Sequence, residues 1–227
     1  MKKNKKQKWE IVIKDRFLTN EKPENPYVVA FLYFVVFFLS FLLIFVCFFQ
    51  LCNISGQSME STYHNGDHVL LLKVTSTYER EDVIVITKDV QNKKTNIIKR
   101  VIAVEGDVLI FEPYKNEETG EELVAVHRKN RGSDKFVKLE ESYIKEPMKK
   151  NSGKFSNDFP FDTEIKIPEG NVFVMGDNRN HSNDSRTEDG FFYPVEAVYG
   201  KSVLTVSKGS ILEYLLQLLY HDRNTAD

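Results

Sequence analysis

Cysteine is almost missing from this sequence. Only Cys47 and Cys52 occur in 227 residues, too few and too badly placed for a disulfide framework. Five scattered histidines offer no His/Cys spacing for zinc. There is no excess of positive charge: 31 Lys+Arg stand against 33 Asp+Glu, whereas a nucleic-acid binder usually carries a basic surface. After residue 52 the chain shows no internal repeat and no long helical periodicity. Composition is otherwise ordinary, with 41% hydrophobic and 28% charged residues, which excludes a disordered or collagen-like chain. The length suits one domain with attachments or two small domains. The most localised absence is of charge: none occurs from Tyr27 to Cys52.

That run, YVVAFLYFVVFFLSFLLIFVCFFQLC, is apolar on every side, unlike the one-sided stripe of a helix packed on a core. As a helix it reaches about 39 Å, more than the ~30 Å hydrocarbon layer of a bilayer. Residues 27–52 are therefore expected to form a transmembrane anchor. The run is longer than the roughly 7–15 apolar residues of a cleavable export signal, and Leu51-Cys52-Asn53-Ile54 offers no A-x-A cleavage site. Residues 1–26 carry eight Lys/Arg against four Asp/Glu, and positive flanks stay in the cytoplasm. A single-pass protein follows, with a basic cytoplasmic tail at 1–26 and residues 53–227 outside. The lysines also suit anionic lipid. Both cysteines fall in or at the edge of the anchor, which leaves the outer domain cysteine-free, as fits an oxidising side.

Residues 53–227 read as short strands: His68–Val74, Asp82–Lys88, Asn96–Val104, Val108–Phe111, Leu123–Arg128, Thr163–Ile167, Asn171–Met175 and Lys201–Ser207. Turn signals such as Asn65-Gly66-Asp67, Gly106-Asp107 and Pro168-Glu169-Gly170 punctuate them. The expected fold is mainly β, a mixed sheet. Between about 112 and 164 the charge becomes dense, as in Glu140–Lys150, and reads as an excursion or small subdomain with solvated faces, the alternative being an added binding surface. Ile211–Tyr220 (ILEYLLQLLY) is apolar but too short to span a bilayer. It packs on the β domain or lies at a membrane surface.

Three stretches carry chemistry. Ser55-Gly56-Gln57-Ser58-Met59 begins just after the apolar run; alone, Ser58 is a loop serine of the kind that caps turns. In Asn96–Val104, NIIKRVIAV, both strand faces are apolar apart from Lys99 on one and Arg100 on the other, so the strand is expected to be buried on both sides. A lysine so enclosed loses hydration, which disfavours its charged form. A neutral amine is what a hydroxyl nucleophile needs as general base. The alternative is that Lys99 snorkels from a strand end. Met175–Arg186, MGDNRNHSNDSR, packs short polar groups and two arginines behind a strand, able to position an amine or to form an ordinary polar turn. Its carboxylates lack the spacing of an EF-hand.

Together these stretches resemble the bacterial type I signal peptidases, a Ser-Lys endopeptidase family. The S-G-x-S-M motif matches Ser55–Met59, G-D-x-V-L matches Gly66–Leu70, K-R-V-I-x-x-x-G-D matches Lys99–Asp107, and G-D-N-R-N-x-S-x-D-S-R matches Gly176–Arg186. Pro194 and Gly200-Lys201 match the closing strand. The resemblance covers the anchor and most of 53–111 and 168–205, and leaves 112–164 aside. It implies a mixed β-sheet catalytic domain on one transmembrane helix, in the Gram-positive-like single-anchor form. It further implies a bacterial plasma-membrane enzyme that removes signal peptides from secreted preproteins beside the secretion translocon.

Carried over by position, Ser58 is the nucleophile and Lys99 the general base, a variant of the triad logic without histidine. Ser182 would orient the Lys99 amine. Asp177 with Arg100, and Asp184 with Arg186, would be structural charge pairs. Ile54, Met59, Tyr63, Ile97 and Ile98 would line shallow pockets for small residues at −1 and −3, the A-x-A rule. No cofactor, metal or nucleic acid is implied. The Ser58 backbone N–H would serve the oxyanion; Gly56 stands where some family members supply a further serine donor. Ser61 replaces the usual proline three residues after the serine, and Ala103 and Glu105 depart from V-I-G-x-P-G-D. Phe191, Phe192 and Tyr193 would touch lipid or join the core. A different class of reading is a catalytically silent relative serving as an accessory or binding module at the translocon. Self-cleaving Ser-Lys repressors cut an Ala-Gly bond, and this sequence has no Ala-Gly dipeptide.

Overall fold

The computed structural model describes residues 25–75, 77–90, 93–187, 191–206, 208–220 and 225–226. The basic segment 1–26, apart from Asn25 and Pro26, lies outside the described residues. The chain divides into two compact units, Met1–Phe45 and Val46–Asp227.

Helix α1, Pro26–Phe48, has no charged residue and no buried residue. Pro26 opens it, where a missing N–H costs nothing, and the Asn25 side chain accepts from Tyr27 N at 3.0 Å. Its 23 residues reach about 35 Å, long and apolar enough to cross a membrane. The helix ends four residues before the Cys52 boundary read from the sequence. Strand β1, Phe49–Ile54, begins there and pairs antiparallel with β2, His68–Leu72, from Phe49↔Leu72 to Asn53↔His68. Lys73 N donates to Phe48 O at 2.8 Å and Lys73 Nζ to Val46 O at 3.1 Å, satisfying carbonyls that a helix end leaves orphaned. Cys52 is therefore a buried core residue of the β unit, which is not cysteine-free as the sequence suggested.

The β unit is built from β3 (Val83–Val90), β4 (Lys93–Val104), β5 (Val108–Lys115), β6 (Glu122–Lys129), β7 (Val137–Lys138), β8 (Ile165–Lys166), β9 (Asn171–Met175), β10 (Tyr193–Pro194), β11 (Val198–Val206) and β12 (Thr225–Ala226). One sheet has the order β10-β9-β4-β12-β1-β2-β11-β3, and β3 also pairs β4. Strands β4, β12, β1, β2, β11 and β3 thus close on themselves, which removes exposed edges. β12 enters parallel to both neighbours; the other pairings of this sheet are antiparallel. A second sheet has the order β7-β6-β5-β8.

Alternation along the strands sorts the core. Cys52, Ile54, Met59, Tyr63, Val69, Leu71, Val83, Val85 and Ile98 form one cluster, and Ile84, Ile86, Ile97, Val101, Val172, Val174 and Tyr193 another. A third joins the two sheets: Ile102, Leu109, Phe111, Val126, Phe159, Ile165, Phe173 and Met175 with Met148. Phe111 meets Phe159 edge-on at 5.0 Å, and Phe155, Phe161 and Phe191 extend the stack, the geometry aromatic rings prefer. Phe191 and Phe192 pack against this core and Tyr193 is buried. Beneath the solvated, charged faces of the 112–164 stretch, its aromatics and Met148 complete this core.

Helix α2, Ile211–Tyr220, packs on the β unit through Leu216, Tyr220 and Glu213. Ser210 Oγ caps Glu213 N at 3.0 Å, and the Glu213 carboxylate reaches back to accept from Gly209 N, one residue before the cap. Glu213 Oε1 also sits 3.0 Å from His68 Nδ1. Ile211, Tyr214, Leu215 and Leu218 remain exposed.

Candidate active site

Ser58 lies in the turn that leaves β1, and Lys99 lies on β4. Their side chains meet: Lys99 Nζ is 2.9 Å from Ser58 Oγ and 2.8 Å from the Ile98 carbonyl oxygen. Lys99 is 2% exposed, because β4 has β3 on one side along Lys93–Arg100 and core beneath. The Ser58 segment is fixed from the other direction. Asn178 N donates to Ser58 O at 3.0 Å and Asn178 Nδ2 to Gln57 O at 3.1 Å. Gly176 is indispensable at this crossing: a Cβ there would overlap the Ser58 carbonyl oxygen and Ser182 Oγ.

Around that pair stand three buried cations, each held by a carboxylate in a two-point fork. Arg100 Nε and Nη2 donate to Asp177 at 2.8 and 2.6 Å, and Thr62 Oγ1 donates to the same carboxylate. The Tyr143 ring lies 4.0 Å from the Arg100 guanidinium, a cation–π contact. Arg186 grips Asp184 with two bonds of 2.8 Å, and Asp184 also accepts from Gly176 N at 2.9 Å. Burial alone would raise the Asp184 carboxyl, yet Arg186 and the Gly176 N–H hold it below the usual carboxylate range. Arg179 grips Glu141 at 2.5 and 2.6 Å. Burial, then the Glu141 charge, pushes the Tyr143 hydroxyl upward.

The sequence pattern of the signal peptidase family, peptidase S26, matches residues 27–207. The chain belongs to the signal peptidase family. Its relatives include a signal peptidase I of Bacillus licheniformis, 30% identical over 139 residues, which is 59% of this chain and 63% of that protein. Signal peptidase I P of Bacillus subtilis subsp. natto is 31% identical over 145 residues, 61% of this chain and 67% of its own. Signal peptidase I of Aquifex aeolicus (strain VF5) is 30% identical over 200 residues, 71% of this chain and 77% of its own. This is a family of enzymes.

Within this signal peptidase scaffold, Ile54, Met59, Tyr63 and Ile98 share one core cluster, whereas Ile97 points into another. Tyr63 Oη lies 3.1 Å from Ser202 Oγ. Ser182 is fully buried beside Gly176, but its hydroxyl meets hydrogen-bond geometry with no neighbour; the bond to Lys99 expected for it is not formed here. Ser61 has φ +118° and its hydroxyl donates to Tyr143 O at 2.6 Å. Proline, fixed near −65°, cannot adopt that backbone. Glu105 accepts from Gly170 N and Arg131, and fully buried Ala103 joins the core. Gly56, at φ +90°, is held by Asn65 Oδ1 at 3.1 Å.

Thr62, Glu141 and Tyr143 escaped the sequence reading. The two from 112–164 were hidden in a charged run, and the usable signal was an arginine too many: Met175–Arg186 holds Arg179 beyond what Asp177 and Asp184 neutralise. Among the described residues no cluster of three or more His, Cys, Asp or Glu is arranged to hold a metal ion.

Proposed function

We propose that this chain is a membrane-anchored serine endopeptidase that removes signal peptides from exported preproteins, with Ser58 as nucleophile and Lys99 as general base. The observation that carries this is the 2.9 Å approach of Lys99 Nζ to Ser58 Oγ by an amine that is 2% exposed. Burial disfavours an ammonium, so the amine is driven towards the neutral form that takes a hydroxyl proton. Ser58 Oγ attacks the scissile carbonyl as Lys99 accepts its proton. Lys99 returns that proton to the leaving amine, and water then releases the acyl group from Ser58 with Lys99 again as base.

The oxyanion falls to the Ser58 backbone N–H, in a loop pinned by Asn178 and Asn65. Arg100–Asp177 and Arg186–Asp184 hold the two segments that meet at Ser58 and Lys99. Ser182 acts by packing at Gly176. Ile54, Met59, Tyr63, Ile97 and Ile98 select small residues at −1 and −3. The helix Pro26–Phe48 anchors the protein in the bacterial plasma membrane, with residues 1–26 cytoplasmic and the β unit, including the 112–164 stretch, outside, near the translocon that delivers preproteins.

The test is incubation of the detergent-solubilised chain with a preprotein bearing an A-x-A site, beside Ser58→Ala and Lys99→Ala, with the cut located by mass spectrometry. Cleavage after the second Ala by the unsubstituted chain alone is expected. Preprotein bound and left intact by the folded chain would instead mean an accessory binding module.

A further inference from the structure

The strand between β1 and β4 is not a neighbour in sequence but the far end of the described chain. Thr225 and Ala226 pair in parallel with Asn53 and Ile54 of β1, and Ala226 pairs with Asn96 of β4. On their opposite sides these strands are already committed, β1 to β2 and this part of β4 to β3. β9 joins β4 only from Arg100 onward, on Arg100–Val104. Ile54 therefore faces Asn96 across a gap one strand wide, and the parallel register sets residues 51–54 opposite 93–96, with Lys99 beyond the end of β1. Any extended peptide completes the ladder there by main-chain hydrogen bonds, the mode of strand addition.

Direction gives the gap its meaning. Because β12 is parallel to both walls, a peptide in this slot runs the same way as β1 does towards Ser58 and β4 does towards Lys99. Lys99 stands three residues beyond Asn96, about 10 Å along a strand. A peptide seated as Thr225–Ala226 is, and extended by two or three residues, delivers a bond to the pair. The slot is thus the entry track for a peptide, and in this structure its occupant is the chain's own segment.

We infer that residues 225–226 act as a built-in competitor, holding the peptide track of the Ser58–Lys99 site until a preprotein displaces them. This rests on the endopeptidase reading above. The segment is tethered nearby: α2 packs on the β unit through Leu216 and Tyr220, with Glu213 Oε1 3.0 Å from His68 Nδ1 of β2, and Tyr220 stands five residues before Thr225. A short tether gives an effective concentration in the millimolar range, so even a weak two-residue pairing competes with a substrate present at micromolar levels.

The experiment compares the full chain with a Thr225→Pro, Ala226→Pro double variant in detergent micelles. Proline removes the N–H that a ladder needs, at positions remote from the proposed catalytic groups in sequence. Two readouts are taken: backbone hydrogen exchange over 49–54 and 93–99, and KM and kcat for a preprotein. The expected results are faster exchange in both stretches and a KM lower by about three- to tenfold at unchanged kcat. A synthetic peptide of residues 217–227 added to the variant is expected to restore the higher KM. Unchanged exchange would overturn the inference, as would faster exchange with an unchanged KM. Absence of cleavage by both proteins would instead sink the endopeptidase reading, and exchange alone would then still decide who occupies the slot.

Discussion

The closed sheet and the four-stranded sheet solve different problems with the same chemistry of burial. The closed sheet hides Lys99 at 2% exposure and sets it against the Ser58 hydroxyl. The four-stranded sheet buries aromatic rings, and the loop beyond β7 sends Glu141 and Tyr143 to Arg179 and Arg100. One region holds an amine where water is kept away; the other holds the frame by giving its arginines partners. The lesson is that a site can be assembled from a reactive pair in one layer and its rigidity from another.

Substitution separates the two most sharply at Ser58. Ser58→Ala is expected to lower kcat by roughly 10⁴-fold or more while folding stability, read by denaturant titration, moves by less than about 1 kcal/mol. Arg186→Gln acts the other way. It leaves Asp184 buried without its cation, a loss of about 3–5 kcal/mol, with activity falling only as the folded fraction falls. Asp184 and Asp107, the latter also held low against burial by Arg80 and the Val104 and Arg131 N–H groups, bind fewer protons folded than unfolded. Their stabilisation is complete above the ordinary carboxylate pKa of about 3.9 and is lost as pH falls towards the lowered folded-state values. Acid titration of unfolding in the unsubstituted chain and in Arg186→Gln should therefore differ in slope below that point.

Smaller effects sharpen the comparison at the seam. Phe111→Ala should cost about 3–4 kcal/mol from the core between the sheets and leave the kcat of the folded fraction alone. Ser61→Pro, at φ +118°, should cost about 2 kcal/mol or more and disturb KM, whereas Ser61→Gly should stay within about 1 kcal/mol, as measured by thermal unfolding of both. Equal effects of the two would mean that the backbone at Ser61 is not what the turn depends on.

What was legible follows the same division. Ser58, Lys99, Arg100, Asp177, Asp184 and Arg186 lie in short ordered motifs, and a buried two-sided strand announced itself in NIIKRVIAV by its lack of a polar face. The end of α1 was not legible, because Phe49–Cys52 are as apolar as the helix before them; only pairing with β2 makes them a strand. Glu141 sits 38 residues from Arg179 inside a run whose composition looks solvated, and charge density cannot tell a paired carboxylate from a wet one. β12 was equally invisible, since two residues joining a sheet by backbone bonds leave no pattern in side chains.

The central claim is that the buried Lys99 amine takes the Ser58 proton, and the dependence of preprotein cleavage on pH tests it most directly. With the full chain in detergent assayed from about pH 6 to 10, kcat/KM is predicted to rise with pH as the buried amine gives up its proton. A flat profile across that range, with the protein folded throughout, would contradict a lysine base.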